Sequence, residues 1–308
     1  MYTSYFGLKE NPFNLTPDPR YLFLSYQHRE ALNHLIYGIN ERKGFVLITG
    51  GIGTGKTTIS RAFLSVLDKS VDSALIFNSA VSDMELLQTI NREFGVKPER
   101  GRPTKKRLIS ALNAFLLKDF AAGRNAVLLI DEAQNLPLSV LEQIRMLSNL
   151  ETNREKLLQI ALLGQPELQK LLDLPSLRQL NERITVRYDL RPLNSDQVSQ
   201  YIKHRLIIAA GNNGILRFPD GVCKIIHNYA EGIPRRINAI CDRALLIAYT
   251  MGISSIDKNI IRQAVDDIGG NYLKGRHRKR GFLLAILLAL AILVSAGIIF
   301  RNDILNFL

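Results

Sequence analysis

Hydrophobic and polar positions follow two different patterns along the chain, and the pattern changes near residue 192. Before that point, short apolar runs typical of buried strands are separated by stretches with apolar residues at helical spacing. Strands that alternate with helices predict a doubly wound parallel sheet. After that point the pattern is wholly helical, which predicts a small α-helical second domain.

Five apolar runs predict the strands of the sheet: Phe45–Thr49, Ser73–Asn78, Ala126–Ile130, Leu157–Leu163 and Ile184–Leu190. Helices are predicted over about 27–40, 57–67, 83–94, 105–122, 138–150, 195–210, 219–230, 234–251 and 257–268. Ser82 and Thr104 are expected to cap two of them. Residues 1–24 are rich in proline and aromatic residues and predict an extended, packed arm. Gly211–Gly214 predicts a turn between two of the later helices.

A glycine-rich segment follows the first strand and leads directly into a helix. It reads Gly50-Gly51-Ile52-Gly53-Thr54-Gly55-Lys56-Thr57, the G-x-x-x-x-G-K-T pattern of a P-loop. Its glycines let backbone N–H groups turn inward around phosphate oxygens, and the helix adds its positive N-terminal end. Lys56 is expected to reach the β- and γ-phosphates of ATP and Thr57 to ligand Mg²⁺, with Thr58 beside them. The order of strand, loop and helix disfavours a chance glycine-rich turn.

A second motif follows the third predicted strand. Five apolar residues end in Asp131 and Glu132. A continuous apolar run fits a strand buried on both faces, and its final carboxylates then emerge at the edge of the sheet where such folds bind ligands. We expect Asp131 to hold Mg²⁺ through its water shell and Glu132 to polarise the attacking water. A solvated turn or a helix cap would be the preferred interpretation of this pair without the upstream loop.

The segment 281–300 contains twenty residues without a charge. A bilayer core of about 30 Å needs about 20 helical residues, so the segment predicts a transmembrane helix. A buried core helix would show a polar stripe, which is lacking here. The run Lys274–Arg280 carries five basic residues before the span, and only Arg301 follows it. This asymmetry places residues 1–280 in the cytoplasm and the basic run among anionic lipid headgroups.

Composition adds two points. The chain has 308 residues, a net charge of +12 and two cysteines, Cys223 and Cys241, too far apart for a metal-binding spacing. This excludes a disulfide scaffold and fits a reducing compartment. The stretch Lys97–Arg107 holds six basic residues and one acid. It predicts either a solvated loop or a contact with phosphate groups, and the sequence leaves both open.

The N-terminal motif resembles a known family. Tyr5-Phe6-Gly7-Leu8-Lys9-Glu10-Asn11-Pro12-Phe13, with Pro17-Asp18-Pro19, is similar to the ExeA-type ATPases, the general secretion pathway protein A family. Leu162–Leu168 and Arg178–Asp189 share the resemblance, which covers about residues 1–270. It implies an AAA+ fold, in which an α/β P-loop core with a parallel sheet precedes a small α-helical lid. The implied organisation is an arm and first helix over 1–44, a core over 45–191, a lid over 192–270, a basic linker over 271–280, a span over 281–300 and a tail over 301–308.

The resemblance also implies roles for further residues. Gln165 follows the fourth strand, where AAA+ proteins place a sensor of the γ-phosphate; the alternative is a loop residue that caps the helix at Pro166. Arg183 resembles the arginine finger that reaches a neighbouring subunit's nucleotide, with Arg178 as the competing candidate and a surface ion pair as the alternative. Arg235, preferred over Arg236, resembles the lid arginine that contacts phosphate. An ordinary helix start is the alternative there.

The function implied by the resemblance is Mg²⁺-dependent ATP hydrolysis by a membrane-anchored AAA+ ATPase. Such a protein drives or regulates assembly of a bacterial envelope system, either secretion or exopolysaccharide export. It is expected in the inner membrane as a homo-oligomer, of which a ring is one form, with an inner-membrane or periplasmic partner protein. Many family members carry a peptidoglycan-binding domain after the span, which does not follow here. The alternatives are an ATP-dependent DNA-binding regulator and a nucleotide switch that barely hydrolyses.

Overall fold

The computed structural model describes residues 1–16, 18–77, 82–97, 102–210 and 216–269. Within them, five strands form one parallel sheet in the order β2-β3-β4-β1-β5. The strands are β1 (Phe45–Gly50), β2 (Val71–Ile76), β3 (Asn125–Ile130), β4 (Leu158–Gly164) and β5 (Ile184–Leu190). The predicted parallel sheet is confirmed. Four strands begin within one residue of the predicted position, whereas β2 begins two residues earlier and its predicted end at Asn78 lies outside the described residues.

The order of the strands brings three chain segments to one edge of the sheet. β4 lies between β1 and β3, and all three run in the same direction. Thr49 of β1 pairs with Gly164 of β4, and Ile130 of β3 pairs with Leu162. The segments that follow β1, β3 and β4 therefore leave the sheet side by side, at the edge where open α/β folds bind ligands.

Helices cover both faces of the sheet and form most of the region after residue 195 that the structure describes. They are α1 (Tyr2–Tyr5), α2 (Tyr26–Asn40), α3 (Lys56–Val66), α4 (Asp83–Glu93), α5 (Lys105–Ala121), α6 (Leu138–Leu147), α7 (Pro166–Leu172), α8 (Arg178–Arg183), α9 (Ser195–Ala210), α10 (Asp220–Ala230), α11 (Pro234–Thr250) and α12 (258–269). Ser82 and Thr104 accept backbone hydrogen bonds as caps of α4 and α5, as predicted. α8 was not predicted, and α6 ends three residues before its predicted end.

Alternating strand residues feed two apolar cores, one on each face of the sheet. Leu128 and Ile160 are fully buried on the face covered by α4, α5 and α6. Val127 and Ala161, their chain neighbours, are fully buried on the face covered by α2 and α3. Successive strand residues point to opposite faces, so only a continuous apolar run can fill both cores. This explains why the inner strands β1, β3 and β4 are almost continuously apolar, whereas the edge strands β2 and β5 also carry exposed polar residues.

Most of the N-terminal arm packs on the helices after residue 195, and Leu22 and Leu24 at its end pack against the core on one face of the sheet. Phe13 is 1% exposed and shares an apolar core with residues of α9, α10 and α11. The Tyr2 hydroxyl donates to the Asp242 carboxylate of α11, and Asn11 Nδ2 donates to the same oxygen at 2.9 Å. The arm is packed, as predicted, but the prediction that it is extended is wrong at two places, where it forms α1 and a 3₁₀ turn over 19–21. The turn of α1 lets Tyr2 reach Asp242.

Several predicted features lie outside the described residues. They are the transmembrane helix over 281–300, the basic run Lys274–Arg280, the turn at Gly211–Gly214 and residues 98–101 of the basic stretch. Among the helices of the described ranges, none has the length and apolar character required to cross a bilayer.

His28 joins α2 to the loop that follows β1. Its side chain is 3% exposed, with Nε2 3.0 Å from the Thr54 carbonyl oxygen and Nδ1 2.7 Å from the Ser25 hydroxyl. A carbonyl only accepts, so the neutral ring carries its proton on Nε2 and donates to Thr54. Burial lowers the pKa of His28 from its usual value, against the hydrogen bond to Thr54. The folded protein therefore favours the neutral ring.

We expect the His28 ring to make stability depend on pH. Because its pKa is lower in the folded than in the unfolded protein, the unfolded chain binds the proton first as pH falls. The wild type should lose stability as pH falls from about 6.5 towards the folded pKa, with a slope of up to about 1.4 kcal/mol per pH unit. His28→Gln should remove this part of the slope. Urea unfolding between pH 8 and 5 measures it.

Asn33→Ala, an exposed change on the same helix, is the control and should keep the wild-type slope. Identical slopes for the wild type and His28→Gln would contradict the assignment of this pH dependence to His28.

Candidate functional site

A cavity of about 470 Å³ opens beside the loop between β1 and α3. The volume lies within the usual range of small-molecule sites. Its wall is built from five parts of the chain: the arm, α2, the loop with α3, the segment after β3 and the region after residue 192. The polar and glycine residues that line it include Asp18, Tyr21, His28, Gly53, Lys56, Thr57, Glu132, Tyr201, Arg205 and Arg235.

The predicted phosphate loop contributes its second half to the cavity wall. The wall includes Ile52, Gly53, Gly55, Lys56, Thr57 and Thr58, whereas Gly50, Gly51 and Thr54 lie behind it. Gly53 and Gly55 have φ angles of +76° and +108°, a region that favours glycine. A Cβ on Gly55 would lie 2.6 Å from His28 Nε2, and one on Gly53 would lie 2.8 Å from the Arg235 Cβ. Side chains on two sides therefore exclude any larger residue from these positions.

Lys56 starts α3 with its side chain folded back along the loop. Nζ donates to the carbonyl oxygens of Gly50 at 2.8 Å and Gly51 at 3.1 Å, and the residue is 5% exposed. Burial lowers the pKa of Lys56, and the nearby Glu132 and Asp131 carboxylates oppose that shift. The ammonium is thus held inside the loop, beside the open cavity.

Thr57 and Asp131 place two oxygen ligands next to each other. The Thr57 hydroxyl donates to Asp131 Oδ2 at 2.7 Å, and Asp131 is 1% exposed. Burial raises the pKa of Asp131, while the hydrogen bond from Thr57 lowers it. A hydroxyl and a carboxylate are the hard oxygen ligands that Mg²⁺ takes, usually with waters and phosphate oxygens completing its octahedron. The pair fits a magnesium site in chemistry and in position.

Glu132 is held in a network of two glutamine side chains. Its Oε2 accepts from Gln134 Nε2 at 2.6 Å and from Gln165 Nε2 at 3.2 Å. Gln134 Oε1 in turn accepts from the Gln165 backbone N–H at 2.9 Å. Glu132 has a φ of +53°, uncommon for a residue other than glycine and often found at functional sites. The structure therefore joins the predicted Glu132 and Gln165 through a residue that the sequence reasoning missed.

The alternative interpretation of Gln165 as a helix cap does not fit this arrangement. Gln165 occupies the N-cap position of α7 but makes no side-chain capping hydrogen bond, because its amide is turned to Glu132. Gln134 could have been found from the sequence, since it stands two residues after Glu132 in a segment that leaves the same edge of the sheet.

The two arginines at the start of α11 have different surroundings. Arg235 lines the cavity, and its backbone N–H points to the Gly53 carbonyl oxygen at 3.4 Å. Arg236 instead donates from Nη1 to Glu231 at 2.8 Å and is absent from the described cavity wall. The position of Arg235 in the cavity wall fits the predicted contact with phosphate, whereas the position of Arg236 does not.

Arg183 and Arg178 both lie away from the cavity of their own chain. Arg183 ends α8 and binds the C-terminal end of α6, donating from Nη1 to Asn149 Oδ1 at 2.7 Å and to the Ser148 hydroxyl. Arg178 forms an exposed ion pair with Glu182 at 2.9 Å. Action on a neighbouring subunit remains a prediction for Arg183, and the structure gives it a contact within its own chain.

The sequence analysis did not predict that the N-terminal arm lines the cavity. Residues 14–16, Asp18 and 21–23 line it, together with His28 from α2. The sequence did contain an indication that the arm belongs to the site. The N-terminal motif that carries the family resemblance includes Pro17-Asp18-Pro19, and Asp18 lies in the part of the arm that lines the cavity.

Comparisons with known proteins agree with this architecture. An AAA domain model matches residues 39–172. General secretion pathway protein A from Aeromonas hydrophila is 44% identical over 297 residues, which is 96% of this chain. The chain spans 53% of the length of that relative.

Solved structures share the fold at low sequence identity. The ORC2 protein of Aeropyrum pernix has a TM-score of 0.62 at 16% identity, covering 84% of this chain and 71% of that one. CDC6P from Pyrobaculum aerophilum has a TM-score of 0.63 at 16% identity, covering 82% and 69%. The RuvB branch migration motor of Thermotoga maritima has a TM-score of 0.53 at 17% identity, covering 80% and 72%.

These similarities confirm the resemblance carried by the sequence motifs. The chain contains an AAA domain and belongs, along nearly all of its length, with general secretion pathway protein A among the AAA ATPases.

Proposed function

We propose that this protein is a membrane-anchored ATPase that hydrolyses ATP to drive or regulate assembly of a bacterial envelope system. One observation supports the ATPase above all others. Lys56, Thr57 and Glu132 line one cavity together with part of the glycine-rich loop, and the buried Asp131 carboxylate accepts from the Thr57 hydroxyl at 2.7 Å. The similarity to general secretion pathway protein A supports the envelope role, for which we expect an inner-membrane location.

The glycine-rich loop and the start of α3 would bind the phosphates of ATP. Backbone N–H groups of the loop and of the first turn of α3 are available to phosphate oxygens, and the helix end adds positive charge. Lys56 Nζ exchanges its two carbonyl partners for the β- and γ-phosphates. Thr57 and Asp131 would hold Mg²⁺, which neutralises charge on the transferred phosphoryl group when it is bound.

Glu132 is the residue that orients the attacking water. The water oxygen bonds to the γ-phosphorus as the bond from that phosphorus to the bridging oxygen breaks, which gives ADP and phosphate. The amides of Gln134 and Gln165 fix the Glu132 carboxylate, and Gln165 is placed to report a bound γ-phosphate to it. In a homo-oligomer, Arg183 would leave the end of α6 and reach the nucleotide of the adjacent subunit.

Arg235 links the helical lid to the phosphates. It touches the loop at Gly53 and stands on α11, which also holds the arm through Asp242. Closure of the lid on bound ATP would therefore move the arm and α11 together. An inner-membrane or periplasmic partner protein that binds the arm or α11 would change position with them. The basic run Lys274–Arg280 would contact anionic lipid.

Lys56→Ala is expected to abolish binding of magnesium-bound ATP. The change removes a charged donor to phosphate oxygens from a buried site, and each such bond contributes about 1.5–3 kcal/mol, or more than tenfold in affinity. Calorimetric titration with a non-hydrolysable ATP analogue measures the loss. Lys69→Ala, an exposed change just beyond the end of α3, should bind like the wild type.

Unchanged affinity in Lys56→Ala would contradict the proposed function. In cells with Lys56→Ala as the sole copy, we expect export through the envelope system to stop. Normal export with a protein that cannot bind ATP would contradict the envelope role while leaving the ATPase assignment intact.

Glu132→Gln is expected to bind ATP normally and to hydrolyse it at least about 100-fold more slowly. The amide keeps the shape of the side chain but loses the charge that activates water. Phosphate release under saturating ATP measures the rate. Equal and negligible rates for the wild type and the variant would instead identify a nucleotide switch.

Arg235→Ala and Arg236→Ala form a matched pair on adjacent positions. Arg235→Ala should weaken ATP binding about tenfold, because a cation in the cavity wall is lost. Arg236→Ala removes only the partly exposed pair with Glu231 and should change affinity little. The ratio of the two dissociation constants is the measurement, and a larger effect for Arg236 would reverse the assignment.

A further inference from the structure

The side chain of Gln134 bonds to two different segments at the carboxyl edge of the sheet. Gln134 stands in a 3₁₀ turn over Ala133–Asn135, directly after Glu132. Its Nε2 donates to Glu132 Oε2 at 2.6 Å, and its Oε1 accepts from the Gln165 backbone N–H at 2.9 Å. A single amide therefore connects the segment after β3 to the segment after β4.

The backbone of Gln165 decides which way the Gln134 amide faces. A backbone N–H only donates, so the atom of Gln134 that meets it is the oxygen. The other end of the amide, which meets Glu132, is then the NH₂ group, and a carboxylate accepts from it. The donor to Glu132 is thus fixed by the main chain of a neighbouring strand.

Gly164, the last residue of β4, leaves room for this amide. A Cβ on Gly164 would lie 3.0 Å from Gln134 Oε1 and 2.7 Å from Leu168 Cδ2. Glycine in a strand often marks a place where another group approaches the backbone closely. A side chain at this position would push the Gln134 oxygen away from the Gln165 N–H, so the glycine is part of the arrangement.

Gln165 holds Glu132 in a different way from Gln134. Its Nε2 donates to the same oxygen, Glu132 Oε2, at 3.2 Å, which is longer than the 2.6 Å bond from Gln134. Its side chain can turn towards a γ-phosphate without breaking the bond between its own backbone N–H and Gln134. The bond from Gln134 is therefore the one that can persist when ATP is bound.

We propose that Gln134 is a positioning residue, which keeps the Glu132 carboxylate aimed at the attacking water while the Gln165 side chain binds the γ-phosphate. This inference rests on the proposed ATP hydrolysis. Gln134 is not part of the cavity wall that the described residues form, so it acts through Glu132. Without it, the carboxylate would lose the bonds from both amides at the moment when ATP binds.

Two variants of similar length separate the two bonds of Gln134. Gln134→Met loses both, whereas Gln134→Glu keeps an acceptor for the Gln165 N–H and places a carboxylate oxygen against Glu132. At pH 8 carboxyl groups are ordinarily ionised, so the two like charges repel. Both variants should lower kcat about 10- to 100-fold, the cost of a displaced catalytic group. Both should bind a non-hydrolysable ATP analogue with magnesium as tightly as the wild type.

Asn135→Ala, an exposed change at the next position, is the matched control and should keep the wild-type kcat. Phosphate release under saturating ATP gives kcat, and calorimetry on the full chain in detergent solution gives the dissociation constant. A parallel loss of kcat and of affinity in both variants would assign Gln134 to the packing of the site and overturn the inference.

A double-mutant cycle tests whether Gln134 acts through the Glu132 carboxylate. In the Glu132→Gln background, Gln134→Met should lower the remaining rate by less than about threefold, because the group that it positions is already lost. A further loss as large as that in the wild-type background would overturn the inference.

The remaining outcomes separate this inference from the proposed function. A wild-type kcat in Gln134→Glu would show that only the bond to the Gln165 backbone matters, and would refute the positioning of Glu132. A higher kcat in either variant would show that Gln134 restrains Glu132, and would refute it as well. A wild type that binds ATP without turnover would instead refute the proposed hydrolysis, on which this role rests.

Discussion

The loop between β1 and α3 keeps its shape because side chains from two other parts of the chain press against it. His28 of α2 fills the space beside Gly55 and binds the Thr54 carbonyl. Arg235 of α11 fills the space beside Gly53. Lys56 closes the loop from within through the carbonyls of Gly50 and Gly51. The phosphate-binding conformation is thus built into the packing of the protein, which lowers the entropic cost of binding a ligand.

The same packing explains why the site requires the whole fold. The parallel sheet brings Asp131, Glu132 and Gln165 to the loop, because β3, β4 and β1 are neighbours with a common direction. The helical region supplies Arg235 and Arg205, and the arm completes the wall. A change in the packing of the helical region therefore reaches the loop directly through Arg235, without any change in the sheet.

Much of this arrangement could be predicted from the sequence, and the exceptions have physical causes. The strands with continuous apolar runs were found almost to the residue, since burial on both faces leaves a strong local signal. β2 starts earlier because Val71 and Asp72 pair with Asn125 and Ala126 of β3, and this register does not depend on apolar character. His28 acts through Thr54, a partner distant in sequence, so local patterns could not assign it. Gln134 stands two residues after Glu132 and was within reach of the sequence, but its bond to the Gln165 backbone depends on the neighbouring strands β3 and β4.

The attachment of α1 to the helical region has a practical consequence. Ser4 is exposed on α1, two residues after the buried Tyr2, whose hydroxyl donates to Asp242 of α11. A fluorophore carried at Ser4 would travel with α11, whereas one on α5 would travel with the sheet. Energy transfer between two such dyes would report any change in the distance between α11 and the sheet, although the first dye is far in sequence from the helix whose position it reports.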